Sequence, residues 1–78
     1  MPASLLEQIG SRIRTVRKAK RMTQVQAAAL TGIRQSHWSR IEAGRLNFQI
    51  DTLEVVTQGL RVSLSELVDG IVLRDLPE

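Results

Sequence analysis

With 78 residues, 42% of them hydrophobic, the chain can build one small domain and leaves little room for a sensor domain or an active-site cleft. The lack of cysteine and the single histidine exclude disulfides and cysteine- or histidine-rich metal sites, and no stretch resembles a signal peptide or approaches the roughly 20 apolar residues of a membrane span. The net charge is +3, and these properties together predict a soluble cytoplasmic protein without a cofactor.

The first predicted helix runs from about Ser4 to Lys20. An apolar residue recurs in it every three or four positions, which places these residues on one stripe: Leu6, Ile9, Ile13 and Val16. Ser4 and Glu7 have the spacing of a capping box, in which each side chain binds the backbone N–H of the other residue. The segment therefore predicts an amphipathic helix.

Two short helices separated by a glycine are predicted next. Thr23 and Gln26 form a second capping-box pattern, and Gly32 ends the helix, because glycine readily adopts the left-handed conformation common at helix ends. Residues 35–43 form the following predicted helix, which Gly44 ends. Two short helices joined by a glycine-containing turn are the layout of a helix-turn-helix.

Two further helices are predicted in the C-terminal half. The fourth runs from about Asp51 to Leu60, and four residues give it an apolar face: Ile50, Leu53, Val56 and Leu60. A third capping-box pattern, from Ser63 to Glu66, opens a short fifth helix that ends at Val68. The tail at residues 71–78 is more apolar than a disordered end needs to be, which indicates that it makes a contact.

The charges divide the chain into a basic part and an acidic part. Residues 12–45 contain nine basic residues against one acidic residue, Glu42, for a net charge of +8, whereas the remainder contains two basic and seven acidic residues, for a net charge of −5. A long basic segment attracts polyanions such as nucleic acids. A solvated charged face is the alternative explanation, and the position of the charges on the predicted helices favours the first.

Five groups of residues in the middle of the chain have a characteristic order and spacing. They are Met22-Thr23-Gln24, Gly32-Ile33, Gln35-Ser36, Ser39-Arg40-Ile41-Glu42-Ala43-Gly44 and Leu60-Arg61-Val62-Ser63-Leu64-x-Glu66-Leu67. Over about residues 9–68 the chain thus resembles the phage-repressor and Cro family, also called XRE-like. The resemblance implies an all-α, five-helix lambda-repressor-like DNA-binding domain with the helix-turn-helix at helices 2 and 3. We expect a single domain over residues 1–78, with residues 69–78 available for dimer contact.

The third predicted helix has two different faces. One is polar and contains four residues: Gln35, Ser36, Ser39 and Arg40. An α-helix fits the major groove of DNA, where glutamine pairs with adenine and arginine with guanine. The resemblance implies that Gln35, Ser36 and Arg40 contact bases; for Arg40 the alternative is a solvated arginine in a salt bridge. Trp38 and Ile41 fall on the opposite face, which is available for packing.

The resemblance also implies contacts with the DNA backbone. Gln24 opens the second helix, where free backbone amides attract a phosphate as well; the alternative is a surface glutamine that only favours the helix. Four residues at or near the third helix are further candidates for backbone contact: Arg34, His37, Ser39 and Arg45.

Arg17 and Glu42 match two positions that the family pairs. Because Glu42 is the only acid in the basic segment, an unpaired role there would oppose DNA binding. We therefore predict a partly buried Arg17–Glu42 ion pair with a structural role.

The chain departs from the family pattern in three places. Ala27 and Thr31 occupy positions that are usually larger and apolar, and Trp38 replaces an aliphatic residue, so we expect Trp38 to supply core volume rather than to stack on a base. Arg61 stands where a glycine commonly ends the fourth helix, which leaves the local turn unpredicted.

These observations favour a transcriptional regulator that binds a pseudo-palindromic operator in double-stranded DNA as a homodimer and regulates its own operon. Phage repressors and restriction–modification controller proteins are regulators of this kind. The predicted dimer contact is the fifth helix with residues 71–76. The alternative is an antitoxin-type interaction module that binds a partner protein as well as DNA, with a toxin or RNA polymerase as candidate partner. An enzyme is not predicted, because the chain has no nucleophile motif or histidine–carboxylate pair.

Overall fold

The computed structural model describes residues 3–73, and within that range it contains five α-helices and no strand. The helices are α1 (Leu5–Ala19), α2 (Gln24–Thr31), α3 (Gln35–Glu42), α4 (Ile50–Leu60) and α5 (Leu64–Val68). The predicted all-α, five-helix fold is confirmed. None of the helices in residues 3–73 has the length and apolarity that crossing a membrane requires. Most of the predicted tail contact, from residue 74 onwards, lies outside the described residues.

Local side-chain bonds fix where α1, α2 and α5 begin. At α1 the Ser4 hydroxyl accepts from the Glu7 amide and the Glu7 carboxylate accepts from the Ser4 amide, both at 3.1 Å. Thr23 and Gln26 make the same reciprocal bonds at the start of α2, at 2.9 and 3.1 Å. The capping boxes predicted at Ser4 and Thr23 are therefore confirmed. At the third predicted box only one of the two bonds forms, from the Glu66 N–H to the Ser63 hydroxyl at 3.3 Å. Gly32 ends α2 with a φ of 74°, the left-handed conformation that a glycine adopts without strain.

The core forms between the helices from nine buried hydrophobic residues. They are Ile9, Ile13, Ala27, Trp38, Ile41, Leu53, Val56, Leu60 and Leu67. Trp38 is 0% exposed, so it fills the core and cannot stack on a base in this conformation. Of the four residues on the predicted apolar face of α4, three are buried, whereas the Ile50 side chain is 70% exposed. Ile50 is the first residue of α4, where the apolar stripe extends beyond the core and borders a groove with Leu64 instead.

Two glycines allow helices to cross at close range. A Cβ atom at Gly10 would lie 2.2 Å from the carbonyl oxygen of Ile41, so α1 packs directly on the last turn of α3. A Cβ atom at Gly59 would lie 2.3 Å from the Thr31 methyl group, so α4 packs directly on this side chain of α2. The small residue at Ala27, 1% exposed, belongs to the same thin face of α2. The departures from the family pattern in α2 therefore fit its close packing on α4.

Arg61 makes the left-handed turn that a glycine would normally make. Its φ and ψ are 55° and 47°, and its N–H donates to the Gln58 carbonyl at 3.3 Å. This conformation is unfavourable for a residue with a side chain by roughly 1–2 kcal/mol. The fourth helix therefore ends in the same way as it would with glycine, and the chain accepts local strain there.

Two α1 side chains hold the start of the C-terminal tail. The Gln8 amide donates to the Val72 carbonyl at 2.6 Å and accepts from the Val72 N–H at 2.9 Å. One turn later, Arg12 donates to the carbonyls of Asp69 and Glu66 at 2.7 and 3.3 Å. Arg12 is thus engaged within the fold, although the sequence placed it in the basic segment.

Candidate nucleic-acid interface

The polar face of α3 is open to solvent. All three residues predicted to contact bases are exposed: Gln35, Ser36 and Arg40. The opposite face holds α3 on the domain, because Trp38 and Ile41 are 0% and 1% exposed. The helix therefore packs on the core through one face, and its hydrogen-bonding side chains face solvent. Insertion into a major groove requires this orientation.

The predicted backbone-contacting residues surround this face. Arg34 precedes α3, His37 and Ser39 lie on it, and Arg45 follows it; all four are exposed. The Arg45 N–H donates to the Arg40 carbonyl at 2.9 Å, which fixes the chain as it leaves α3.

A groove of about 480 Å³ runs between α3 and the start of α4. Arg34 and His37 line one side, and Asn47 and Gln49 belong to the segment that closes the other. Asn47 and Gln49 lie in a segment without a repeating pattern, so nothing in the sequence indicated their position. Their side chains add neutral hydrogen-bonding groups beside α3.

Most of the basic residues in the 12–45 segment remain available to an external anion. Arg12 and Arg17 are bound within the fold, whereas the other seven are exposed: Arg14, Lys18, Lys20, Arg21, Arg34, Arg40 and Arg45. Four of these lie on α1 and the turn after it, next to the start of α2. Positive charge therefore flanks the helix-turn-helix as well as occupying α3.

Arg17 and Glu42 form a two-pronged ion pair between α1 and α3. Arg17 Nε lies 2.5 Å from Glu42 Oε2, and Arg17 Nη2 lies 2.9 Å from Glu42 Oε1. The two side chains are only 8% and 3% exposed, which is more complete burial than the partly buried pair predicted from the sequence. Arg17 Nη1 also donates to the Met22 carbonyl at 2.7 Å, which connects α1 to the segment before α2.

Two further donors reach the Glu42 carboxylate. Gln24 Nε2 donates to Glu42 Oε1 at 3.2 Å, and the indole N–H of Trp38 donates to Glu42 Oε2. The structure thus gives Gln24, which the sequence assigned to a phosphate, a partner inside the protein. The sequence could have indicated the Trp38–Glu42 bond, because residues four apart on a helix are neighbours. No sequence spacing indicated the Gln24–Glu42 bond, because it joins two different helices.

These bonds keep the ion pair charged. Burial by itself would raise the pKa of Glu42, but the hydrogen bonds from Arg17, Gln24 and Trp38, with the charge of Arg17, outweigh it and hold the pKa below its ordinary value of 4.5. The hydrogen bond to Glu42 raises the pKa of Arg17, and burial opposes that effect only in part. Both groups are therefore ionised at neutral pH.

Comparison with known proteins agrees with this geometry. Residues 8–69 match the model of a family described as a helix-turn-helix domain. The chain belongs to this helix-turn-helix family. The matched range contains α2 to α5 and all of α1 except its first three residues. The resemblance to phage repressors and controller proteins predicted from the sequence is confirmed.

Individual relatives are repressors and controller proteins. The chain is 37% identical over 60 residues to the immunity repressor protein of Bacillus phage phi105, which covers 77% of this chain and 42% of the repressor. It therefore spans less than half the length of that relative. It is 33% identical over 63 residues to the control protein C.MunI of Mycoplasma sp., which covers 80% of this chain and 85% of C.MunI.

The fold is also similar to that of a solved DNA complex. The restriction–modification controller protein C.Esp1396I, determined as a tetramer with its natural 35 base-pair operator, superposes with a TM-score of 0.79. The two chains are 29% identical, and the match covers 87% of this chain and 90% of C.Esp1396I.

Proposed function

We propose that the protein is a transcriptional regulator that binds a pseudo-palindromic operator in double-stranded DNA as a homodimer. The observation that carries the proposal is the exposed polar face of α3, which is held on the core by Trp38 and Ile41 and flanked by exposed basic residues. The operator complex of C.Esp1396I supports DNA as the ligand. A DNA target also implies action in the cytoplasm.

The roles of individual residues follow from their positions. With α3 in the major groove, Gln35, Ser36 and Arg40 contact base edges and specify sequence. The surrounding residues contact the backbone and fix the register of the protein on the duplex: Gln24, Arg34, His37, Ser39 and Arg45.

A second copy is proposed to bind at the α4–α5 face. Three large hydrophobic residues are exposed there: Ile50 at 70%, Leu64 at 48% and Val68 at 40%. A groove of about 280 Å³, which Leu53 and Thr57 also line, lies between the two helices. Association through this face would present two α3 helices to half-sites about 34–36 Å apart. Because occupancy then depends steeply on protein concentration, such a dimer is suited to regulating its own operon.

The antitoxin-type interaction module left open by the sequence is not favoured. The relatives described above are repressors and controller proteins. Contact with a toxin or RNA polymerase therefore stays a prediction, and the exposed Val72 and Leu73, at 59% and 71%, are where we would place it.

The role of Arg40 gives a test at the level of single base pairs. Arg40→Ala should relax the preference at one position per half-site by about 1–3 kcal/mol, because a bidentate arginine–guanine contact provides about that much discrimination. The measurement is the Kd for the operator and its single-base variants at one fixed salt concentration. Arg14→Ala, which removes an exposed arginine from α1, is the matched control and should weaken all sequences alike. If Arg40→Ala also weakens all sequences alike, Arg40 contacts only phosphate.

A further inference from the structure

The Glu42 carboxylate is bound from three helices at once. Its Oε1 accepts from Arg17 at 2.9 Å and from Gln24 at 3.2 Å, and its Oε2 accepts from Arg17 at 2.5 Å and from the Trp38 indole. A carboxylate has about four acceptor positions. These four donors therefore fill it, and they connect α1, α2 and α3 at a single side chain.

The bond from Gln24 differs from the other three in what it does for the fold. Arg17 balances the charge of Glu42, and the bond to Glu42 satisfies an indole N–H on a residue that is 0% exposed. Gln24 is only half-buried, so its amide could bind water as readily if the side chain swung outward. The Gln24–Glu42 bond supports the charge of Glu42, and it also holds the Gln24 side chain in one orientation.

We propose that Glu42 is a positioning residue for the contact between Gln24 and the DNA backbone. An amide nitrogen has two N–H donors. Glu42 takes one of them, and the second is left for a phosphate oxygen at the start of α2. Because the side chain is ordered before DNA arrives, binding loses less conformational entropy than it would with a free surface glutamine. This inference rests on the proposed DNA-binding function.

The first test uses the wild-type protein without DNA, so it does not depend on a variant that folds. The measurement is ¹⁵N relaxation of the side-chain NH₂ groups of glutamine. The Gln24 group should be markedly more ordered than that of Gln35, which is exposed on α3 and serves as the internal control. Equal mobility of the two groups would overturn the proposal.

The second test asks whether Glu42 acts on DNA binding through Gln24. Glu42→Leu combined with Arg17→Met removes the acceptor without leaving a buried charge behind. Kd for the operator is then compared between Gln24 and Gln24→Ala chains, in sucrose and at low temperature, where excluded cosolute favours the folded state. The paired replacement should weaken binding about three- to tenfold when Gln24 is present, equivalent to about 0.7–1.4 kcal/mol.

In the Gln24→Ala chain the same replacement should weaken binding markedly less. An equal loss in both chains would show that Glu42 has a structural role alone, and the inference would fail while operator binding stands. The inference would also fail if Gln24→Ala alone left Kd for the operator unchanged. Failure of the wild-type protein to bind any duplex would instead contradict the proposed function itself.

Discussion

Replacing Glu42 by glutamine should lower the free energy of unfolding by about 3–5 kcal/mol at neutral pH, although the two side chains have nearly the same shape. The loss arises because the Arg17 side chain, 8% exposed, keeps its charge but loses the anion that balances it. Urea denaturation followed by circular dichroism measures this change. For a domain of this size the melting temperature should fall by more than about 12 °C.

Glu54→Gln is the matched control, because it makes the same chemical change at an exposed position of α4. It should alter stability by less than about 0.5 kcal/mol. A loss of under about 1 kcal/mol in Glu42→Gln would mean that the buried ion pair does not stabilise the fold as argued.

The dependence of stability on pH separates the charge of Glu42 from its shape. Since folding lowers the pKa of Glu42, its contribution is fully present above the ordinary value of 4.5 and is lost as the pH falls through the lower folded value. The wild-type protein should therefore lose this stability in acid. Glu42→Gln should lack that component, so the two proteins should approach each other in stability below pH 4.5 and differ by a constant amount at neutral pH.

Gly10→Ala should destabilise the protein by about 3 kcal/mol, the upper end of the range for overpacked cores. The new methyl group would lie 2.2 Å from the Ile41 carbonyl oxygen and 2.9 Å from that of Glu42. Both are backbone atoms in the last turn of α3, so α1 and α3 have to move apart. Alanine otherwise favours a helix over glycine by about 0.8–1 kcal/mol, so the sign of the measured change distinguishes the two effects.

Ser11→Ala is the control for Gly10→Ala, because it places an alanine at the neighbouring, exposed position of α1. We expect its free energy of unfolding to stay within about 0.5 kcal/mol of the wild type. An unchanged or increased stability in Gly10→Ala would contradict the close crossing of α1 and α3.

The features that the sequence predicted well are local in the chain. Capping boxes at Ser4 and Thr23 and the glycine end of α2 depend on residues within a few positions of each other, and each has a recognisable spacing. The burial of Trp38 was expected from its place opposite the polar face of α3 and from the aliphatic residue that the family resemblance implies there. The helix boundaries and the exposed face of α3 were therefore predictable without coordinates.

The features that the sequence missed are mostly contacts between distant segments. Gln8 binds the backbone of Val72, 64 residues away, and no spacing rule indicates such a pair. Gly10 has no characteristic spacing from α3 in the sequence, and its packing role follows only from the position of α3. Ile50 continued an apolar repeat, but periodicity does not tell where the core ends. Such contacts follow from how the helices pack rather than from the sequence of any one of them.

The arrangement of α3 explains how a small domain can hold a recognition surface rigidly. Trp38 and Ile41 are buried on one side of the helix, and Arg17 binds Glu42, the last residue of the helix. These contacts fix the backbone of α3, from which the outward side chains project. A site that is ordered in this way before binding loses less entropy when it contacts DNA.

The most direct test of the central claim is selection of binding sites by the wild-type protein from a pool of random DNA duplexes. If the exposed face of α3 reads bases in a homodimer, the selected duplexes should share two inverted half-sites about 10–10.5 base pairs apart. Their affinity should also fall as salt rises, with a log–log slope near −0.9 for each phosphate neutralised. A selected pool with no shared motif, or with affinity unaffected by salt, would contradict the account.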